Sequence, residues 1–506
     1  AQAIWLKGVC FPSLRSPDAL AGAPAHARPM PTQSTWLAVA SIAGNYGARA
    51  LTPMLAHIVC VGARCDAAAL VGATAGAFFA GDLVAQLVAK ALVQRFSGGA
   101  LLVAGTAGWA LLALGMPLAL PDPLLVLVPA QFALGFFCGL GYPAAHAVLA
   151  STVPAATRTT AVTLVSGAAA LGTMASNFGS PQAAEAIGHM APYALFAAAG
   201  LLTSALSLLR LPCGHVPGQR GGASGMRDML REAAIWVQDP LIAALVFGMW
   251  AFGVANAFLF TFVPTLFVEA FEASVVELGW LTMAAPLGNA LCCVLSGIAS
   301  DFLMDRHWPT HRCRMLMQLI GTAVPAASLL GLCLCTCKRK AAAFLALWFA
   351  SHGFQTSGLT VALHDVARAR ASELFAVGNV FAKLAGICAS PLVVYISRRW
   401  GWGLVLGIVG AHYAASGICL VALLGRTARS AQHFDRAAAR VARQVLAARG
   451  EEDMEPPTTA LPKEAEEERP ILRPAGRSTA GCLLSSVARS GGLRLRKMGI
   501  GPALGA

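Results

Sequence analysis

Long apolar runs alternate with short polar breaks along most of the chain. Twelve runs are long enough to be membrane helices, at about 36–59, 68–93, 100–120, 124–151, 160–181, 190–210, 236–268, 277–303, 314–336, 341–365, 372–396 and 402–425. A hydrocarbon core about 30 Å thick takes roughly 20 apolar residues per helical crossing. The widest polar break inside this array, LPCGHVPGQRGGASGMRDMLREAAI at 211–235, separates six runs from six. The pattern predicts an all-α integral membrane protein of 12 transmembrane helices in two six-helix bundles, 36–210 and 236–425, joined by a cytosolic loop at 211–235. Residues 1–35 read as a disordered or targeting segment and 426–506 as a cytosolic, largely disordered tail.

Composition agrees: 57% of residues are hydrophobic, 12% are charged, and mean hydropathy is +0.65. The net charge of +13 fits a basic cytosolic face. With both ends cytosolic, the even-numbered loops and the tail hold most of the Lys and Arg, Arg95, Arg158, Arg210, Arg306 and Arg312 among them. Arg64, Lys338-Arg339-Lys340 and Arg398-Arg399 fall on the other side and break the rule. No compact module of basic and aromatic residues is present, which excludes a nucleic-acid partner. Most of the fourteen cysteines lie in apolar runs and read as small buried hydrophobes rather than disulfides. The CLCTC run at 333–337 lacks His or carboxylate partners at ligand spacing, so neither a metal nor a cofactor is expected. Nor does the chain carry a nucleophile elbow, a metal triad or a phosphate loop, which argues against an enzyme.

The ends carry address-like features. Residues 1–34 are rich in Ala, Pro and Arg with one acidic residue, Asp18, a composition compatible with an organelle transit peptide. The tail reads as a basic helix to about Ala448, followed by an acidic stretch in which Glu467 to Leu472 looks like an acidic dileucine sorting signal.

Three charged residues, Arg49, Asp82 and Lys383, fall inside apolar runs. A charge at bilayer depth costs a few kcal/mol or more unless it faces water or a partner. Each is therefore either functional or held in a structural pair.

Several stretches carry a family likeness. NYGARALTPMLA (45–56) contains Arg49, and FFAGDLVAQLVAKALVQRFSGG (78–99) follows in the second run. ALGFFCGLGYPAAHAVLASTVPAATR (133–158) places Gly135, Gly139, Pro143, His146, Pro154 and Arg158 in step. FVPTLF (262–267), Pro286, GIASD (297–301) and HDVARARASELFAVGNVFAKLAGICASPLVV (364–394) continue the series. Over about 36–425 the chain resembles the anion:cation symporter branch of the major facilitator superfamily. The resemblance implies the major facilitator fold and no enzyme chemistry. It implies secondary active transport of inorganic phosphate or a small organic anion such as glutamate, sialic acid or ascorbate, driven by protons, sodium or membrane potential. Alternating access would come from rocking of the two halves. The expected partners are the small anionic substrate, coupling H+ or Na+ and the lipid bilayer, around a monomer. The expected setting is a plastid envelope or an endomembrane or vacuole rather than the plasma membrane.

Arg49 is the first substrate-contact candidate, because a guanidinium offers paired planar donors that match carboxylate or phosphate. Asn45 and Tyr46 lie about one turn earlier on a similar face. His146 and Asn379 complete the expected substrate set. Asp82, His146 and Lys383 are the coupling candidates, Asp82 either pairing with Lys383 or Arg49 or carrying the coupling proton. Gating is expected at Arg95, Arg158, Gly297 and Asp301. The departures from the family pattern are Gln131 for an arginine, Cys138 for a glutamate, and an eroded loop latch with Lys90 for glycine, Gln94 for aspartate and Ser97 for glycine. They keep a second reading open, a transporter-like receptor or scaffold that no longer transports. Gly135-x-x-x-Gly139 and Gly403-x-x-x-Gly407 both have the spacing of close helix packing.

Overall fold

A computed structural model describes residues 32–63, 65–116, 123–153, 155–211, 234, 236–366 and 371–427. The expected central loop, the terminal segments and the sorting motif lie almost wholly outside these residues.

The first half holds α1 (Gln33–Ala63), α2 (Ala67–Phe96), α3 (Gly98–Gly115), α4 (Pro123–Thr152), α5 (Ala155–Ala186) and α6 (Ala191–Arg210). The second holds α7 (Pro240–Phe271), α8 (Val275–Asp305) and α9 (Thr310–Cys333). Then come α10 (338–366), α11 (Ala371–Trp400) and α12 (Trp402–Thr427). Among the described residues no strand is present, and nine of these rods are long and apolar enough to cross a membrane. The three that fall short are α1, α5 and α10.

Local chemistry sets the helix ends. Asp66 accepts from the Ala68 and Ala69 amides to start α2, at 2.9 and 3.3 Å. Asp239 does the same for α7, with Pro240 in the first position where a missing N–H is harmless. Ser274 and Glu277 form a capping box on α8. Pro264 has no N–H to give the Phe260 carbonyl four residues back, and α7 opens there into a π-helical turn over Phe258–Phe262. Between α2 and α3, Ser97 adopts φ 69° and ψ 158°, a region where only glycine is at ease. That is the position where the resembled family keeps glycine.

Helices α1 to α6 pack mainly among themselves, as do α7 to α12, and two seams join the groups, α2 against α11 and α5 against α8. Glycines allow the closest approaches. A Cβ on Gly135 would lie 2.0 Å from the Phe78 carbonyl oxygen, and one on Gly172 would lie 1.9 Å from that of Ala43. The expectation for the second glycine pair is corrected: a Cβ on Gly403 or Gly407 meets nothing within 4 Å, so neither glycine is required for a close helix approach, although the Gly403 carbonyl accepts from Cys333 Sγ of α9 at 3.7 Å. A second correction concerns cysteine, since Cys60 and Cys65 form a disulfide. The chain reverses between α1 and α2, which brings two residues five apart in sequence side by side. Large exposed apolar side chains, such as Leu209 on α6, Leu295 on α8 and Ile418 on α12, cover the periphery as lipid requires.

Candidate functional site

Arg49 sits at the midpoint of α1, inside an aromatic cage. Its guanidinium carbon lies 4.9 Å from the Phe260 ring centroid, 5.0 Å from Phe78, 5.1 Å from Phe79 and 5.9 Å from Tyr46. Among the described residues no carboxylate lies within ion-pairing distance of it. Rings attract a cation through their negative faces, each by up to about 2 kcal/mol when water is excluded. They hold the charge without neutralising it, which an acidic partner would do. Three helices build the cage. Phe78 and Phe79 are successive on α2, and Phe79 fits because α11 has Gly386 opposite, where a Cβ would lie 2.7 Å from the ring. Phe260 comes from the π-helical turn of α7.

One turn beyond Phe78 on α2, Asp82 takes Lys383 of α11 as its partner at 2.5 Å. The two side chains are 7% and 18% exposed. Gln86 donates to the other Asp82 oxygen at 3.3 Å and to the Gly139 carbonyl at 3.1 Å. Of the two partners open to Asp82 in the sequence, the structure pairs it with Lys383 rather than Arg49.

Beside the cage lies a narrow cavity of about 20 Å³, room for about one water molecule, partly open to solvent. Met54 of α1 and Thr173 and Asn177 of α5 face it from the first half. Phe260, Thr282, Pro286, Leu345 and Phe349 face it from the second. Phe260 belongs to both the wall of this cavity and the cage, and its edge meets Phe349 at 5.4 Å.

Comparison with known proteins bears on what such a site belongs to. The profile of the Major Facilitator Superfamily matches residues 32–387. The chain belongs to the Major Facilitator Superfamily. It is 26% identical over 341 residues to "Probable anion transporter 3, chloroplastic" of Arabidopsis thaliana, covering 63% of this chain and 65% of that one. It is 28% identical over 333 residues to "Sialin" of Homo sapiens, covering 62% and 66%. The matches thus span slightly less than two thirds of these relatives' length. The xylose transporter XylE from E. coli in its inward-open conformation superposes with a TM-score of 0.57 at 13% identity, over 76% of this chain and 94% of that one, which is a likeness of fold. The superfamily and the relatives are transporters rather than enzymes, and the relatives' names agree with the resemblance to the anion:cation symporter branch.

Within this superfamily frame the other expected site residues fall in different places. Tyr46 is in the cage, edge-on to Tyr142 at 5.9 Å, and the Tyr142 ring stacks on buried His146 at 5.9 Å. Tyr46 thus connects His146 to Arg49 through rings. Asn45 gives its amide to the Cys138 carbonyl at 2.8 Å, which ties α1 to α4 and uses the donor inside the bundle. Gln131 donates to Thr52 at 2.5 Å, a neutral link at a position where the branch commonly has an arginine. Asn379 makes no side-chain hydrogen bond to another described residue. At the predicted gates, Arg95 is exposed over the Phe96 ring at 5.3 Å, and Gly297 faces open space. The Arg158 side chain lies outside the described set. Asp301 is half-buried, but the nearby Arg314 pairs with Asp365 at 2.8 Å and donates to Ser300 at 2.7 Å.

At the α1–α2 end, Arg398 bridges Asp66 and Glu269, the latter at 3.3 Å, while Lys338 pairs with Glu277 at 2.6 Å. Two of the three cation groups that broke the loop-charge rule are therefore engaged by carboxylates at one end of the molecule. Burial raises the Asp66 carboxyl, but the Arg398 hydrogen bond and charge, with the Ala69 and Ala68 amides, outweigh it and hold it below its ordinary value.

Phe78, Phe79 and Phe260 escaped the sequence reading. Pro264 four residues after Phe260 was the available sign of an irregular turn. The buried relay in the second half also escaped it: Trp348 donates to the Tyr413 hydroxyl at 2.9 Å, and that oxygen stands 2.8 Å from His352 Nδ1.

Proposed function

We propose that this protein is a secondary active carrier of a small anion, working by alternating access, with Arg49 as the group that receives the anion's charge. The observation that carries the reading is the unneutralised guanidinium at mid-bilayer, beside a cavity faced by both halves. An anion leaving water needs a fixed counter-charge, and a cation already paired with a carboxylate offers little. Asp82 and Lys383 join the halves across α2 and α11, so any coupling ion that neutralises Asp82 loosens that seam. A proton is the simplest such ion, and sodium the alternative. The chloroplastic relatives support a plastid envelope as its place, with an endomembrane as the alternative.

The experiment is uptake of labelled anions into proteoliposomes holding the full chain, under imposed pH, sodium and voltage gradients. Saturable, gradient-dependent uptake that collapses in Arg49→Ala is expected. Normal kinetics in correctly inserted Arg49→Ala protein removes Arg49 from the site, and absence of uptake under every gradient favours the receptor-like reading. Asp82→Asn with an unaltered pH profile of uptake ends the coupling role of the seam pair.

A further inference from the structure

Resting on the reading of Arg49 as the substrate contact, we propose that the anion carries a single negative charge on an apolar, preferably planar body, and that inorganic phosphate and dianions are poor substrates.

The charge balance of the site comes first. Of the ionised side chains at the helix midpoints around the cage, Asp82 and Lys383 cancel each other at 2.5 Å, and Arg49 alone remains uncompensated among the described residues. Gln131, which stands where a second cation is common in the resembled branch, is neutral and bonded to Thr52. His146 is separated from the guanidinium by the Tyr142 and Tyr46 rings. One negative charge brings the site to neutrality. A second would be taken out of water with no counter-charge at membrane depth, where uncompensated charge is least tolerated.

The kind of donor available points the same way. Phosphate presents several strongly hydrated oxygens and needs many donors to leave water. Apart from Tyr46, the rings over the Arg49 guanidinium are phenyl groups, which donate nothing. A carboxylate or sulfonate edge can be met by the paired guanidinium N–H groups alone. Of the twelve described side chains that face the cavity beside the cage, nine are apolar, Met54, Leu259, Val263 and Leu345 among them, and three, Thr173, Asn177 and Thr282, are polar, a lining that suits an apolar body with a small polar edge better than a fully hydrated ion. Phe260 and Phe349, already edge to face, offer ring surfaces against which a planar group packs well.

The test uses anions whose charge is fixed and whose body is varied. Full-length protein in proteoliposomes at pH 8, where an ordinary imidazole is neutral, is offered labelled benzenesulfonate, benzene-1,3-disulfonate, methanesulfonate and inorganic phosphate. Benzenesulfonate is expected to accumulate about tenfold or more above each of the others. The disulfonate or phosphate carried as well as benzenesulfonate overturns the inference, as does methanesulfonate carried equally well. This ranking is read in the wild-type protein and needs no variant to fold. The same four anions are also tested for thermal stabilisation of the purified protein. Stabilisation by benzenesulfonate without uptake keeps the substrate class and removes the carrier reading. Arg49-dependent phosphate uptake does the reverse. Neither uptake nor stabilisation by benzenesulfonate overturns the inference.

Discussion

The Asp82–Lys383 pair makes a quantitative prediction, because both partners are largely excluded from water and 301 residues apart in sequence. Asp82→Asn keeps the shape and the Gln86 contact but leaves the Lys383 ammonium uncompensated. Lys383→Met leaves the carboxylate, only 7% exposed, in the same position. Breaking a buried pair from one side costs about 3–5 kcal/mol, while replacing both members with neutral groups of similar size is often close to neutral. The double variant Asp82→Asn/Lys383→Met is therefore expected within about 1 kcal/mol of wild type, giving a coupling of roughly 5 kcal/mol or more between the sites. Purified full-length protein in mixed micelles, unfolded by SDS titration and followed by tryptophan fluorescence, measures all four corners of the cycle. Additive single effects, with the double variant as unstable as their sum, would refute the reasoning, because they mean the two charges do not compensate each other in the folded protein.

Other expectations follow from local geometry. Ser97→Gly relieves a backbone conformation that suits glycine and should raise stability by about 1 kcal/mol in the same titration; a loss of stability shows the turn is unstrained. Gly172→Ala drives a methyl into the Ala43 carbonyl and should cost about 3 kcal/mol, whereas Gly407→Ala faces open space and should change stability by less than about 0.5 kcal/mol. Equal effects at both glycines contradict the packing described. Asp66 is held below its ordinary value, so its contribution is fully present above the unfolded-state value near 4 and is lost only as pH falls through the lower folded one. The stability gap between wild type and Asp66→Asn, which keeps the helix cap, should be constant from pH 8 to pH 5 and close only in stronger acid. Alkylating the denatured, unreduced protein should leave Cys60 and Cys65 unlabelled, placing the α1–α2 end in an oxidising compartment, and Cys60→Ser should cost roughly 2 kcal/mol. Labelling of both thiols contradicts the bond.

What the sequence by itself determined is the helical content, the placement of the rods, and the presence of Arg49, Asp82 and Lys383 at mid-helix. In lipid every backbone N–H and C=O must be satisfied within its own helix, so a rod can be read from a local run of apolar residues. Pro264 and Ser97 likewise announce local irregularities, because their effects arise within a few bonds. Only the tertiary structure decided who faces whom. A helix buried in lipid is apolar on its outer and inner faces alike, so the pattern along α2 does not tell which side meets α11 or that Phe78 and Phe79 close over Arg49. For the same reason Gly135 and Gly403 look alike in sequence, although a side chain on one would strike a neighbouring backbone and a Cβ on the other would meet nothing. The choice of Lys383 over Arg49 as the partner of Asp82 depends on how the two halves are set against each other, and that choice leaves a single free positive charge in the cage.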